Sequence, residues 1–181
     1  MKPAANRNAP LQLVRGEGER GVVDGLYRRY CRYVAAVILR LDGRADEVED
    51  LIQDVFLAAA RGYRDVRQPE AIKGWLATIT VRLVRRRLRL RRLHRFLGMD
   101  AAADYTELVD PGASAADKLL LVEVYRVLDD IAVDDRLAFC LHHVEGENLE
   151  TVAELSRCSL ATVKRRIARA RATLEERLGD D

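Results

Sequence analysis

The densest chemistry in this chain is cationic, and its clearest instance lies near the C-terminus. Residues 148–171 read N-L-E-T-V-A-E-L-S-R-C-S-L-A-T-V-K-R-R-I-A-R-A-R. Leu160, Val163 and Ile167 recur at helical spacing, which leaves Thr162, Lys164, Arg165, Arg166 and Arg169 on the remaining face. Asn148 and Ser159 are each placed to cap a helix by accepting a hydrogen bond from a free backbone N–H. Ala153 is small enough to let the two helices approach closely. A short helix, a tight turn and a basic second helix form the pattern of a helix-turn-helix, whose second helix enters the major groove of duplex DNA. There Lys and Arg pair with guanine O6 and N7, and Thr meets a thymine methyl or a phosphate. A charge run alone is most often a solvated face. Here the caps, the core spacing and the switch of charge at Arg157 point the same way.

A second cationic block runs from Ala71 to Met99. It holds nine basic residues (Lys73, Arg82, Arg85, Arg86, Arg87, Arg89, Arg91, Arg92, Arg95) and no acidic one. Tyr63 and Trp75 accompany it, and arginines beside aromatics suit single-stranded DNA, with phosphates on the guanidiniums and unstacked bases on the rings. Trp75 is more often a core anchor than a stacking platform, and the arginine run equally suits RNA or an acidic protein. The acids are as segregated as the bases. Asp100, Asp104, Glu107, Asp110 and Asp117 fall in a stretch without Lys or Arg, and residues 119–156 hold nine acids against two Arg. Asp42–Asp54 has six acids and one Arg, a poor surface for DNA and a good one for a basic protein partner.

Catalysis has little to build on. His142-His143 near Asp134 and Asp135 is the one constellation with acid–base or metal-ligand types. Adjacent helical residues point about 100° apart, so the two imidazoles chelate poorly together. Cys31, Cys140 and Cys158 are far apart and odd in number, with no C-x-x-C pair, which argues against a disulfide framework or a zinc cluster. No enzyme activity, metal or cofactor is expected.

The elements that must position these residues are helical throughout. The apolar stripes are Val34, Val37, Ile38, Leu41; Val48, Leu51, Ile52, Val55, Phe56, Ala59; and Trp75, Leu76, Ile79, Leu83. Further on come Leu121, Val124, Tyr125, Leu128, Ile131; then Leu137, Leu141, Val144; then Leu160 through Leu178. No period-two strand is bounded by turn residues, so the fold class is all-α. Gly16, Gly18 and Gly21 are expected to interrupt the first helices, and Asp42-Gly43 to end a Tyr27–Leu41 helix. Gly62–Glu70, with Pro69, reads as a loop. Residues 98–117, with weak periodicity and Asp110-Pro111-Gly112, read as an acidic flexible linker between two small helical domains, 9–97 and 118–178. About 20 residues reach at most ~65 Å when extended.

Composition bounds the rest. The chain has 181 residues, 31 Lys+Arg against 29 Asp+Glu, and 49% apolar residues, enough for one domain or two modest ones. No apolar run approaches the ~20 residues needed to span a bilayer. Met1–Pro10 shows no apolar signal core. A cytoplasmic protein with no membrane insertion of its own is expected.

Leu26–Arg95 resembles region two of the extracytoplasmic-function (ECF) group of bacterial RNA polymerase sigma factors. The shared signatures are L-Y-R-R-Y (Leu26–Tyr30), E-D-L-I-Q-D-V-F-L (Glu49–Leu57) and G-W-L-A-T-I-T-V-R (Gly74–Arg82), followed by the arginine run. Lys118–Leu178 resembles region four through E-G-E-N-L-E-T-V-A-E-L (Glu145–Leu155) and A-T-V-K-R-R-I (Ala161–Ile167).

The resemblance implies a promoter-specificity subunit that binds core polymerase, recognises the minus-ten and minus-thirty-five elements and promotes melting. It implies that Glu49, Asp50, Gln53 and Asp54 face the β′ clamp helices. It implies that Tyr63, Arg64, Lys73, Trp75, Arg82, Arg85, Arg86 and Arg89 hold minus-ten DNA. Thr162, Lys164, Arg165, Arg166 and Arg169 would face the minus-thirty-five duplex, in a domain that also touches the β flap. The linker's negative charge would keep it off promoter DNA, and an anti-sigma factor is an expected partner.

Three departures stand out: Arg82 where the family often has Asn, Arg157 where the turn often has Gly, and Ile131-Ala132 in place of Leu-Pro. An L-residue at a Gly position in that turn implies a positive φ. The alternative is a stand-alone helix-turn-helix regulator, which would not co-elute with core polymerase.

Overall fold

The structure, a computed structural model, describes residues 19–66, 68–99, 105 and 112–179. All regular structure among them is helical. Helix α1 (Glu19–Asp42), α2 (Val48–Gly62) and α3 (Ile72–Phe96) pack on one another as a three-helix unit. Two short 3₁₀ turns, Tyr63–Asp65 and Pro69–Ala71, join α2 to α3. A second unit holds α4 (Ala115–Asp130), α5 (Val133–Phe139), α6 (Leu149–Ser156) and α7 (Leu160–Leu178), with α7 packed on the other three. No helix among the described residues is long and apolar enough to cross a membrane.

The stripes read from sequence form the core: Val34, Ile38, Leu41, Val55, Leu76, Leu128, Leu137 and Val163 are all fully buried. Each such Leu or Val contributes about 1.5–3 kcal/mol relative to exposure. Helix α1 begins earlier than expected, at Glu19, and runs through Gly21. A helical Gly costs about 1 kcal/mol against Ala, but Val22 and Leu26 are buried on the same stripe as Val34 and hold the turn. Gly16 and Gly18 lie outside the described residues. The end of α1 is where Asp42-Gly43 put it. Gly43 has φ +76°, and a Cβ there would stand 2.4 Å from the Tyr125 ring.

The segment after α5 corrects the register. Cys140–Val144 forms a π-turn, with Glu145 N–H donating to Cys140 C=O at 2.9 Å. The wider turn inserts an extra residue, so Val144, expected in the stripe of Leu137 and Leu141, is exposed instead.

The linker holds a larger difference. Tyr105 is 1% exposed; its ring stacks on Tyr125 with centroids 5.6 Å apart, and its hydroxyl donates to Asp129. One aromatic without periodic neighbours leaves no pattern to read, so the sequence showed only a spacer. The acids Asp100, Asp104, Glu107 and Asp110 lie outside the described residues, as do 1–18.

The two units also meet directly. Arg136 of α5 is fully buried; it donates from Nε to Leu41 C=O at 3.2 Å and from Nη2 to Asp42 C=O at 2.7 Å. It thereby satisfies carbonyls left open at the C-terminus of α1. Nη1 donates to Asp129, and Tyr125 Oη donates to Arg40 C=O at 2.7 Å.

Candidate nucleic-acid interface

Three surfaces carry the residues singled out above. On α2, Leu51, Ile52, Val55 and Phe56 are buried, which turns Glu49, Asp50, Gln53 and Asp54 outward on one face. Leu57 continues that face and is 57% exposed, and Tyr27, 44% exposed, stands beside Phe56 at 5.0 Å between centroids. Sequence reasoning missed both. The signal for Leu57 was an apolar side chain one turn beyond Gln53 on an otherwise polar stripe.

On α3, Ile72, Leu76, Ile79, Val84 and Leu88 face the core. At about 100° per residue, Trp75, Arg82, Arg85, Arg86 and Arg89 share the opposite stripe. Lys73 does not join it. It projects from another side, its Nζ 4.7 Å from the Tyr33 ring centre on α1. Trp75 is half-buried and packed on the core, within reach of Gly62. Tyr63 is likewise half-buried, while Arg64 is exposed with its guanidinium 6.0 Å from the Tyr63 ring centre. The arginine run is not uniformly a surface. Arg91 is buried, bound to Asp42 and, at 2.7 Å, to Glu47, and Arg87 takes the same Glu47 oxygen at 2.7 Å. Burial pushes the Asp42 carboxyl up; Glu47, despite its own burial, is held low by Arg91 and Arg87.

The third surface is α7. Asn148 Oδ1 accepts from Thr151 N–H at 2.8 Å and Ser159 Oγ from Thr162 N–H at 3.2 Å, so both caps form as the sequence predicts. Between them Arg157 adopts φ 51°, ψ 51°, the one non-glycine with positive φ among the described residues. Its N–H bonds Glu154 C=O, and Cys158 N–H bonds Ala153 C=O, each at 3.1 Å, which closes α6 and starts the turn. Lys164 and Arg165 are exposed, and Arg165 Nη2 donates to Thr162 Oγ1 at 3.3 Å. Arg166 and Arg169 turn the other way, toward α5.

There the second and third surfaces converge on two carboxylates. Arg85 Nε lies 3.0 Å from Asp134 Oδ1, and Arg89 and Arg166 reach Asp134 Oδ2 at 3.1 and 3.3 Å. Arg169 grips Asp135 with both nitrogens of its fork, at 2.7 and 2.8 Å. Beside them opens a cleft of about 350 Å³ lined by Arg89, Arg92, Asp134, Asp135, Arg166 and Arg169. Sequence reading had considered these aspartates with His142 and His143. The structure instead engages them with arginine, while His142 Nδ1 meets Glu147 C=O at 2.8 Å and His143 packs at a tilt against the Phe139 ring.

Family comparison matches residues 26–94 to Sigma-70 region 2 and residues 121–174 to Sigma-70, region 4. The ECF RNA polymerase sigma factor EcfG of Rhodopseudomonas palustris is 30% identical over 139 residues, 77% of this chain and 75% of that protein. The chain belongs to the ECF sigma factors.

ECF sigma factor SigM of Mycobacterium tuberculosis is 29% identical over 175 residues, covering 95% of this chain and 85% of that one. A probable RNA polymerase sigma factor, RfaY, of Xanthomonas campestris is 32% identical over 80% of this chain, which spans only 37% of that relative. Among solved structures, the sigma factor RpoE of Bartonella quintana, crystallised with the anti-sigma factor NepR, shares the fold. Its TM-score is 0.64 at 24% identity, over 87% of this chain and 97% of that one. Sigma factors are a family of non-enzymatic transcription initiation factors.

Proposed function

We propose that this ECF sigma factor docks on the β′ clamp helices of core RNA polymerase through α2 and there reads a promoter at two places. Glu49, Asp50, Gln53 and Asp54 meet the clamp, with Leu57 adding apolar contact at their edge. Trp75, Arg82, Arg85, Arg86 and Arg89 on α3, with Tyr63 and Arg64 before it, take the melted minus-ten strand; Lys73 contributes from the α1 side. Thr162, Lys164, Arg165, Arg166 and Arg169 on α7 take the minus-thirty-five duplex, in a unit that also contacts the β flap. The working units are 9–97 and 118–178, joined by 98–117. The protein acts in the cytoplasm, where an anti-sigma factor holds it in reserve.

The observation that supports this reading best is the order of surfaces: an exposed acidic face, then a basic stripe, then a capped basic recognition helix. A stand-alone regulator has no use for the first. Run-off transcription with core enzyme on a genomic promoter library tests the proposal. Initiation at new start sites is expected. Arg165→Glu with Arg169→Glu should abolish minus-thirty-five dependence while the protein still co-elutes with core polymerase. Asp50→Lys with Asp54→Lys should weaken that co-elution. Wild-type protein that neither co-elutes nor redirects initiation overturns the reading.

A further inference from the structure

The turn between α6 and α7 holds a residue in a conformation that glycine would adopt more easily. Arg157 sits at φ 51°, ψ 51°, and it is the one non-glycine with positive φ among the described residues. In that region the Cβ of an L-residue crowds a neighbouring carbonyl oxygen, whereas glycine enters it without penalty. The bonds from Arg157 N–H to Glu154 C=O and from Cys158 N–H to Ala153 C=O fix the backbone there whatever side chain it carries. The fold thus requires the bend and not the arginine. A strained residue kept where glycine would serve the fold better points to a use for its side chain.

That side chain is unoccupied. Six cationic residues lie between 157 and 171. Asp134 and Asp135 hold Arg166 and Arg169, Glu175 holds Arg171, and Arg165 donates to Thr162. Arg157 and Lys164 are exposed, and neither side chain has a partner among the described residues. Even Glu154, exposed and one turn before Arg157, forms no ion pair with it.

The position suits a particular contact. Arg157 stands two residues before Ser159, whose side chain caps α7. In a helix-turn-helix the first helix crosses the DNA backbone while the N-terminal residues of the second reach base edges. The turn joining them therefore lies over the strand at the edge of the groove, where phosphate oxygens are the groups on offer. A guanidinium fork matches two such oxygens, and the contact fixes register without reading sequence.

We propose that Arg157 is a DNA phosphate contact, which seats the turn on the backbone and sets the register of α7 in the groove. The inference rests on the duplex-binding reading of α7 above and extends it to a residue outside that helix.

The test uses the whole chain and two mixed-sequence duplexes of unrelated sequence, titrated by anisotropy between about 50 and 200 mM salt. Arg157→Gly, Arg157→Lys and Lys164→Ala are compared with wild type, and thermal unfolding is followed for each. Arg157→Gly should weaken binding about fivefold on both duplexes and lower the slope of log K against log salt by about 0.9. Its Tm should hold or rise by up to about 2–4 °C as the strain is relieved. Arg157→Lys, which keeps the charge, should keep the slope; a slope lost there too overturns the charge contact. Unchanged affinity and slope in Arg157→Gly, with both lowered in Lys164→Ala, overturns the assignment of Arg157 and leaves the reading of α7 standing. No change in either variant overturns both. A loss confined to one duplex overturns the phosphate contact, as does a loss of affinity accompanied by a lower Tm, which is the mark of a merely structural residue. If Arg157→Gly does not fold, Arg157→Asn is read by the same criteria, since asparagine also tolerates this φ.

Discussion

Two clusters of arginine and aspartate join the halves of this sigma factor, and they differ in almost everything but composition. The inner one centres on Arg136, fully buried, whose donors go to Asp129 and to the last carbonyls of α1, with Tyr105, Tyr125 and Gly43 packed around it. The outer one centres on Asp134 and Asp135, with Arg89 and Arg169 largely in solvent. In the first, removing one partner strands the others away from water. In the second, water or salt can replace a lost partner at Arg89 and Arg169, although the Asp135 carboxylate itself is buried. One chemistry thus yields a structural joint where it is dry and an exchangeable contact where it is wet.

The largest effect should come from Arg136→Ala. It leaves Asp129 without its buried cation and the Leu41 and Asp42 carbonyls without donors, a loss of about 3–5 kcal/mol in urea unfolding. A loss under about 1 kcal/mol would erase the distinction between the two clusters, since that is the scale of exposed pairs. Gly43→Ala comes next. The added Cβ meets the Tyr125 ring in a backbone conformation that favours glycine, at a cost of about 2 kcal/mol from strain and displaced packing. It should lower Tm without altering the helix content of either half.

The Glu47 ion pairs within the first unit are acid-sensitive. Glu47 binds Arg87 and Arg91 and has a depressed pKa in the folded chain. A depressed carboxylate stabilises the fold above its unfolded pKa, and that contribution disappears as pH falls through the folded value. Stability should therefore decline below about pH 4.5 through this group, and Glu47→Gln should flatten the decline. Asp42, whose carboxyl burial pushes up, contributes with the opposite sign. Because Glu47 also helps push Asp42 up, Glu47→Gln relaxes Asp42 as well, and an unchanged slope would show that the Glu47 pairs do not contribute to acid sensitivity.

The contrast between clusters also marks what was legible beforehand. The positive φ at Arg157 rests on the resemblance to a family that often has Gly there, whereas helical stripes and both caps of the helix-turn-helix follow from local spacing and turn chemistry, which a sequence displays directly. The acidic face of α2 and the exposed basic residues of α7 were visible for the same reason. Tyr105, Arg136 and the Arg91–Asp42 pair were hidden, because their partners lie 24, 94–95 and 49 residues away and no periodicity announces them. Arg91 looked like one more member of a basic run. Asp134 and Asp135 were noticed, but beside the wrong partners, since proximity in sequence favoured the histidines and only the packing of α5 between α3 and α7 sets them against arginine.

The smallest change in stability should come from the outer cluster and still be the most informative. Asp135→Asn removes a buried carboxylate from its pair with a mostly solvated arginine, so it should cost less than Arg136→Ala at low salt. At 1 M salt, where the screening length falls to about 3 Å, the difference from wild type should shrink toward zero. Arg136→Ala should keep its full deficit under the same salt, because its groups are sealed from ions. A salt-insensitive loss in Asp135→Asn would place the outer cluster in the same class as the inner one. It would then be a fixed joint rather than a contact that ions can exchange.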